Sequence, residues 1–136
     1  MKTASYFTFN GPGSIGISLG APRGMTICCG FYRDLAPRRE MLRMPYHVYR
    51  DVYFQEILGP LDPRQVADDL QRLAGKSEPV ILCFERPPFN GDNWCHRRMV
   101  AEWFGDTLGL VVPEINSTAA SDPLDQDGEQ FRLDLG

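Results

Sequence analysis

Val80-Ile81-Leu82-Cys83-Phe84 is followed by Glu85-Arg86-Pro87-Pro88-Phe89-Asn90-Gly91-Asp92-Asn93-Trp94 and then by Cys95-His96-Arg97. The first five residues are apolar at every position, the pattern of a strand buried on both faces. Residues 95–108 put Met99, Val100, Trp103, Phe104 and Leu108 on one side of a helix. A buried strand handing the chain to an amphipathic helix is the unit of α/β layering. The loop between them is longer than the roughly 2–6 residues usual for such a connection, which points to a use beyond turning the chain. It delivers a thiol, an imidazole and a guanidinium to a helix N-terminus. Unpaired N–H groups and the positive dipole end at such a terminus attract anions and lower a thiol's pKa.

Outward from this unit, Asp62-Pro63-Arg64-Gln65 reads as a helix start. Asp62 caps, Pro63 suits the first turn and Gln65 is placed to reach back. That helix continues to about Ala74, with Val66, Leu70 and Leu73 on its buried face and Gly75 as its stop. Residues 46–58 carry Tyr49, Val52, Tyr53, Glu56 and Ile57 at helical spacing, mostly as core, and residues 38–44 spell a short helix before Pro45. Nearer the start, Ser5-Tyr6-Phe7-Thr8-Phe9 has strand composition and is closed by Asn10-Gly11-Pro12-Gly13. A second strand, Ile15-Gly16-Ile17-Ser18-Leu19, ends at Gly20-Ala21-Pro22-Arg23-Gly24, and Leu110-Val111-Val112-Pro113 reads as a last short strand. The expected fold is α/β: a single compact domain over residues 1–115, with a mostly parallel sheet flanked by helices. Residues 80–84 form an interior strand, and the helices beginning near Asp62 and Cys95 cover its faces. Residues 116–136 turn acidic, small and polar, and read as a mobile tail.

The chain has 136 residues, enough for one core, and its apolar fraction of 43% is that of a globular protein. A net charge of −4 argues against a basic surface that coats nucleic acid. A local patch stays open: Arg33, Arg38, Arg39 and Arg43, with Arg23 upstream, could face a phosphate-bearing partner, although such runs more often line a solvated face. The chain shows no apolar leader and no run long enough to span a membrane, so a cytoplasmic protein with no membrane partner is expected. The four cysteines lie in or beside apolar segments, and reduced thiols are expected.

In open α/β sheets ligands bind beyond the carboxyl ends of the strands, where Glu85 ends one strand and Cys95 begins the next helix. In the expected division of labour, Arg97 and the helix N-terminus hold an anion and Glu85 meets a hydroxyl or acts as general base. Cys95 is then a nucleophile or a structural thiol. A protonated His96 would join Arg97 in favouring the Cys95 thiolate. Cys83 reads as an inert apolar filler. A metal centre on Cys83, Cys95 and His96 with Cys28 or Cys29 is the next option, but the spacing lacks a CxxC knuckle and sequence neighbours such as Cys95 and His96 usually diverge. No metal is assigned. In the adjacent pair Cys28-Cys29, one side chain should turn inward. GxGxxG, P-loop, HExxH and GxSxG motifs are absent, so no cofactor is assigned either.

Leu82-Cys83-Phe84-Glu85, then Cys95-His96-Arg97 and Ala101-Glu102-Trp103, resemble the main signature of the family called domain of unknown function 488 (DUF 488), in its small bacterial form. Ile17-Ser18, Pro22-Arg23-Gly24, Tyr32, Leu35-Ala36-Pro37, Tyr49 with Tyr53, and Asp62-Pro63 are similar to its weaker blocks. The resemblance covers most of residues 15–114 and leaves out the proline-rich loop and the acidic tail. It implies that Arg23, Tyr32, Tyr53, Glu85, Cys95, His96 and Arg97 share one cleft. Cys95, Glu85 and His96 are then the catalytic candidates, and Arg23, Tyr32, Tyr53 and Arg97 bind the ligand. The leading expectation is a small α/β enzyme or binding domain for an anionic small molecule, such as a nucleotide or nucleic-acid component. A non-enzymatic module that binds nucleic acid or protein through residues 33–43 is the alternative. A redox or metal protein built on the cysteines is the third class.

Overall fold

The apolar run becomes strand β3, Val80–Cys83, buried at every position, in a computed structural model that describes residues 1–86, 89 and 93–115. β3 is the central strand: β1 (Lys2–Ser5) and β2 (Ser14–Gly16) pair with it in parallel, in the order β1-β3-β2. The register sets Ala4 and Gly16 on either side of Leu82, and Ser5 beside Cys83. The period of two then sends Ile81 and Cys83 to one face and Val80 and Leu82 to the other.

The Ile81 face is covered by α2 (Pro63–Ala74) and α3 (His96–Leu108). Helix α1 (Tyr46–Val52), continued by a π-helical turn at Tyr53–Leu58, completes this layer. Ile15, Ile17 and Ile81 pack there against Tyr53, Leu70, Val100 and Phe104. On the opposite face, Ala4, Tyr6, Val80 and Leu82 pack with Ile27, Met25 and Phe31. Both long helices therefore share one side of the sheet instead of taking a face each. The segment around residues 25–31 provides the other cover with irregular chain.

Local sequence explains the long elements. Asp62 accepts the Arg64 backbone N–H at 3.0 Å and caps α2. Gln65 does not return to the cap but donates to Asp69 at 2.8 Å, one turn on. Gly75 stops the helix at φ 65°, a conformation that costs glycine nothing. Val66, Leu70 and Ala74 form the buried row, which turns Leu73, expected inside, out to 41% exposure.

The strand ends moved more. β1 ends at Ser5, where its pairing with β3 ends, and the chain then turns with Phe9 N–H donating to the Ser5 carbonyl at 3.1 Å. Residues 6–9 are thus a turn, and β2 is confined to Ser14–Gly16. No strand forms at residues 110–113. Instead Thr3 N–H donates to the Pro113 carbonyl at 2.9 Å and Ile115 N–H to the Thr3 carbonyl at 2.8 Å, a single parallel bridge between Thr3 and Glu114. The short helix before Pro45 is a 3₁₀ turn, Arg39–Arg43. The acidic segment 116–136 lies outside the described residues. Among the described residues no helix is long and apolar enough to cross a membrane.

The register makes a testable demand at Gly16, where an added Cβ would lie 2.6 Å from the Phe31 ring and from the Tyr6 hydroxyl. Gly16→Ala is expected to destabilise the protein by roughly 1–3 kcal/mol through overpacking. Gly20→Ala, with nothing within 4 Å, should stay within roughly 0.5 kcal/mol of the parent. Urea midpoints measure both, and an unmoved midpoint for Gly16→Ala would refute the packing described.

Candidate functional site

A cavity of about 450 Å³ opens at the carboxyl ends of β2 and β3. Its walls come from Ser18, Leu19, Gly20 and Ala21 after β2, from Phe84 and Glu85 after β3, from Tyr49 of α1, and from Trp94. Cys83, Cys95 and His96 line it as well. Strand parity aims Cys83 at the helix-covered face. Cys95 is the N-cap of α3, with extended backbone (φ −146°, ψ 143°), so the end of the strand and the start of the helix meet. Their sulfurs are bonded as a disulfide across Cα atoms 7.0 Å apart. This corrects both the expectation of reduced thiols throughout and the reading of Cys83 as an inert filler. Between them in sequence, Asn93 Nδ2 donates to the Arg86 carbonyl at 2.6 Å. Cys28 is a free, exposed thiol; Cys29 is half-buried against the core.

His96 is buried, with Nε2 2.7 Å from the Ile17 carbonyl oxygen. A carbonyl only accepts, so Nε2 carries the proton and Nδ1 presents a lone pair. Nδ1 lies 3.9 Å from Cys95 Sγ. Burial pushes the imidazole down to about 4; the Ile17 carbonyl opposes this and the charge of Arg97 adds to it. At neutral pH the ring is therefore uncharged, and the protonated His96 expected beside the thiol is not formed. Loss of hydration outweighs the single hydrogen bond. Tyr53 meets His96 edge-on at 5.4 Å, and the Tyr49 hydroxyl is held protonated by burial and then by the Glu85 charge.

Arg97 has no exposed surface. Its Nε and Nη2 donate to the two carboxylate oxygens of Glu114 at 3.0 and 2.7 Å, and Nη1 donates to Cys83 Sγ at 3.2 Å. The Phe89 ring lies 4.9 Å from the guanidinium. Arg97 thus touches the sulfur pair without lining the cavity. Arg23 is exposed and also absent from the lining. Tyr32 donates to Asp69 of α2 at 2.7 Å, and the buried Tyr53 hydroxyl donates to the Leu35 carbonyl at 2.6 Å. Glu85, Cys95 and His96 are therefore brought to one cavity, whereas Arg23, Tyr32, Tyr53 and Arg97 are not among its lining residues. Its described lining contains no arginine or lysine.

Several lining residues escape sequence reading. Tyr49 sits in a stripe that reads as packing, and Trp94 in a loop; in the structure their rings meet at 4.6 Å. The strand-end sequence Ser18-Leu19-Gly20-Ala21 was the available clue. Glu114 belongs to no motif. In the basic segment, Arg38 is held by Glu40 at 2.8 Å and Glu56 at 2.7 Å, which neutralises part of that patch. Comparison of the chain with protein-family models, with curated proteins and with solved structures finds no match in any of the three.

Two outcomes follow from the buried charges. Glu114→Gln leaves the Arg97 guanidinium buried without its carboxylate and is expected to cost roughly 3–5 kcal/mol. Glu102→Gln removes the more exposed partner of Arg50 and should cost at most about 1 kcal/mol. Chemical denaturation compares the pair, and equal losses would contradict the role given to Arg97. For His96, the folded value of about 4 lies below the ordinary 6.5, so the unfolded chain takes up a proton that the folded state refuses. Stability of the disulfide-bonded protein is therefore complete above pH 6.5 and falls as pH drops toward 4, by up to about 3 kcal/mol. His96→Gln should flatten that part of the profile. Identical slopes in parent and variant would exclude His96 as the source.

Proposed function

We propose that the protein is a thiol–disulfide redox protein acting on small molecules, with Cys83 and Cys95 cycling between dithiol and disulfide. The observation that carries this reading is the bonding of these two cysteines within a cavity of about 450 Å³. That volume lies in the range of small-molecule sites. Cys83 and Cys95 are only 1% and 3% exposed, so a disulfide on a folded protein does not reach them, while a low-molecular-weight disulfide enters the cavity.

In the reduced state, Cys95 gives up its proton to solvent, and the thiolate attacks one sulfur of the incoming disulfide. The disulfide's S–S bond breaks, and the first thiolate leaves and takes up a proton from solvent. Cys83 then attacks Cys95 Sγ, closes the protein disulfide and releases the second thiolate, which picks up the proton from Cys83. Two protein thiols are oxidised, one small disulfide is reduced to two thiols, and the protons balance. Arg97, donating to Cys83 Sγ, and the N-terminus of α3 behind Cys95 both favour thiolates. Glu85 and Tyr49 supply polar contacts at the wall.

A cytoplasmic location, where the glutathione pool returns the pair to the dithiol form, belongs to the same proposal. An anionic or nucleotide ligand is less well supported, since without an arginine or lysine among the described lining residues it would rest on the helix N-terminus alone.

The test is to treat fully reduced protein with hydroxyethyl disulfide and map cysteine states by peptide mass. The parent should link Cys83 to Cys95 while Cys28 and Cys29 remain alkylatable, and Cys83→Ser should accumulate a mixed disulfide on Cys95. A Cys83→Ser protein that forms no adduct, or a parent that reacts first at Cys28, would sink the proposal.

A further inference from the structure

We infer that the reduced form of this site is also a metal site: Cys83 Sγ, Cys95 Sγ and His96 Nδ1 bind a zinc ion whose fourth position opens into the cavity. The inference rests on the reducibility of Cys83 and Cys95 that the proposed function requires. It does not depend on exchange with any small disulfide.

The geometry supplies the donor set. The two sulfurs and a ring nitrogen of His96 all lie within 4.8 Å of one another, and all three residues are buried. Ligand atoms of a tetrahedral zinc with Zn–S near 2.3 Å are roughly 3.5 Å apart. Two thiolates freed from their bond have to move apart to about that distance to share one ion. Sequence neighbours such as Cys95 and His96 usually point apart. Here the extended backbone of Cys95 at the helix N-cap changes to helical backbone at His96, which brings both side chains to the same cavity.

The surroundings match the needs of a soft divalent ion. The Ile17 carbonyl accepts the hydrogen bond from Nε2–H, which fixes the tautomer and directs the Nδ1 lone pair toward the sulfurs. A backbone carbonyl on the remote ring nitrogen is a common outer-sphere partner of a metal-bound histidine. Two thiolates neutralise the dication, so the buried ensemble carries no net charge before Arg97 is counted, and Arg97 is already paired with Glu114. The N–H of Arg97 on Cys83 Sγ withdraws charge from one thiolate without competing for the metal position. With three protein donors among the described residues, the fourth site is left for water or a ligand entering past Glu85, the arrangement of reactive rather than closed structural zinc sites. Oxidation of the two thiolates to the disulfide removes both sulfur ligands, so metal occupancy and the disulfide exclude one another.

The experiment uses the full chain, reduced and freed of reductant under anaerobic conditions, titrated with Co²⁺ and followed by absorption. One equivalent should bind, with a sulfur-to-cobalt charge-transfer band and the intense visible bands of a tetrahedral ion, and zinc should displace it. His96→Gln should weaken binding by roughly a hundredfold or more, since outer-sphere partners alone are worth roughly 10–100-fold. Cys95→Ser should abolish the charge-transfer band or shift it, and far-UV circular dichroism shows that each variant is folded. Cys28→Ser with Cys29→Ser should leave the spectrum intact. Hydrogen peroxide, reduced to water as the two thiolates become a disulfide, should release the ion. If reduced parent protein takes up no Co²⁺, or if the spectrum survives Cys95→Ser and is lost with Cys28 and Cys29, the inference is overturned. A protein that forms the mixed disulfide but binds no metal defeats this inference alone. One that binds metal and forms no mixed disulfide defeats only the exchange reading.

Discussion

A guanidinium with no exposed surface must find every partner inside the protein, and Arg97 finds them on three separate segments. Burying such a charge costs several kcal/mol unless it is paired and hydrogen-bonded. Glu114 provides a two-pronged carboxylate at 2.7–3.0 Å, Cys83 Sγ takes a further N–H, and Phe89 offers its ring. Glu114 is itself held by the Thr3 hydroxyl, which also accepts from Arg98 at 2.8 Å. The segment at residues 113–115 is thereby laid along β1, and the first turn of α3 is held against the end of β3. Phe89 of the long loop lies against the same charge. Removing one partner would leave the others short, so this cluster controls how the strand end faces the helix start.

The chemistry at the cavity depends on that arrangement. The bond between Cys83 and Cys95 joins the end of the central strand to the N-cap of α3, the same junction that Arg97 spans. Burial keeps His96 neutral, and the Ile17 carbonyl decides which ring nitrogen is available. The result is a pair of sulfurs, both lining the cavity, flanked by a lone pair on one side and a donating guanidinium on the other. Surface pairs such as Arg38 with Glu56 and Arg50 with Glu102 have short contacts too, but water screens them and they add little to stability. Arg97 carries weight because water is excluded from it.

Side-chain parity explains why the site lies where it does. Ile81 and Cys83 share a face, so the residue that ends β3 enters the layer built by α2 and α3, where Cys95 already sits. Had the pairing register slipped by one residue, Cys83 would face the Ile27 side and the two sulfurs could not meet. The pocket is thus a consequence of strand register as much as of the residues that line it.

Much of this was legible in the chain itself, and the part that was legible is local. The apolar run that becomes β3, the Asp62 cap and Gly75 stop of α2, and the periodic stripe of α3 all report interactions between residues a few positions apart, so pattern and capping chemistry reveal them. The placement of Cys95, His96 and Arg97 at the head of α3 was readable for the same reason. Strand ends were not, because β1 stops where β3 ceases to pair with it, and pairing joins residues far apart in sequence. Nor could the sequence say that both long helices share one face, that Arg97 belongs to Glu114 instead of a ligand, or that Cys83 is bonded to Cys95. Composition and periodicity determined the elements and the residue types available for chemistry. Only the tertiary structure decided which of those residues meet, because burial removes water as a partner and each buried charge, thiol and imidazole must then be satisfied by whatever the fold brings within reach.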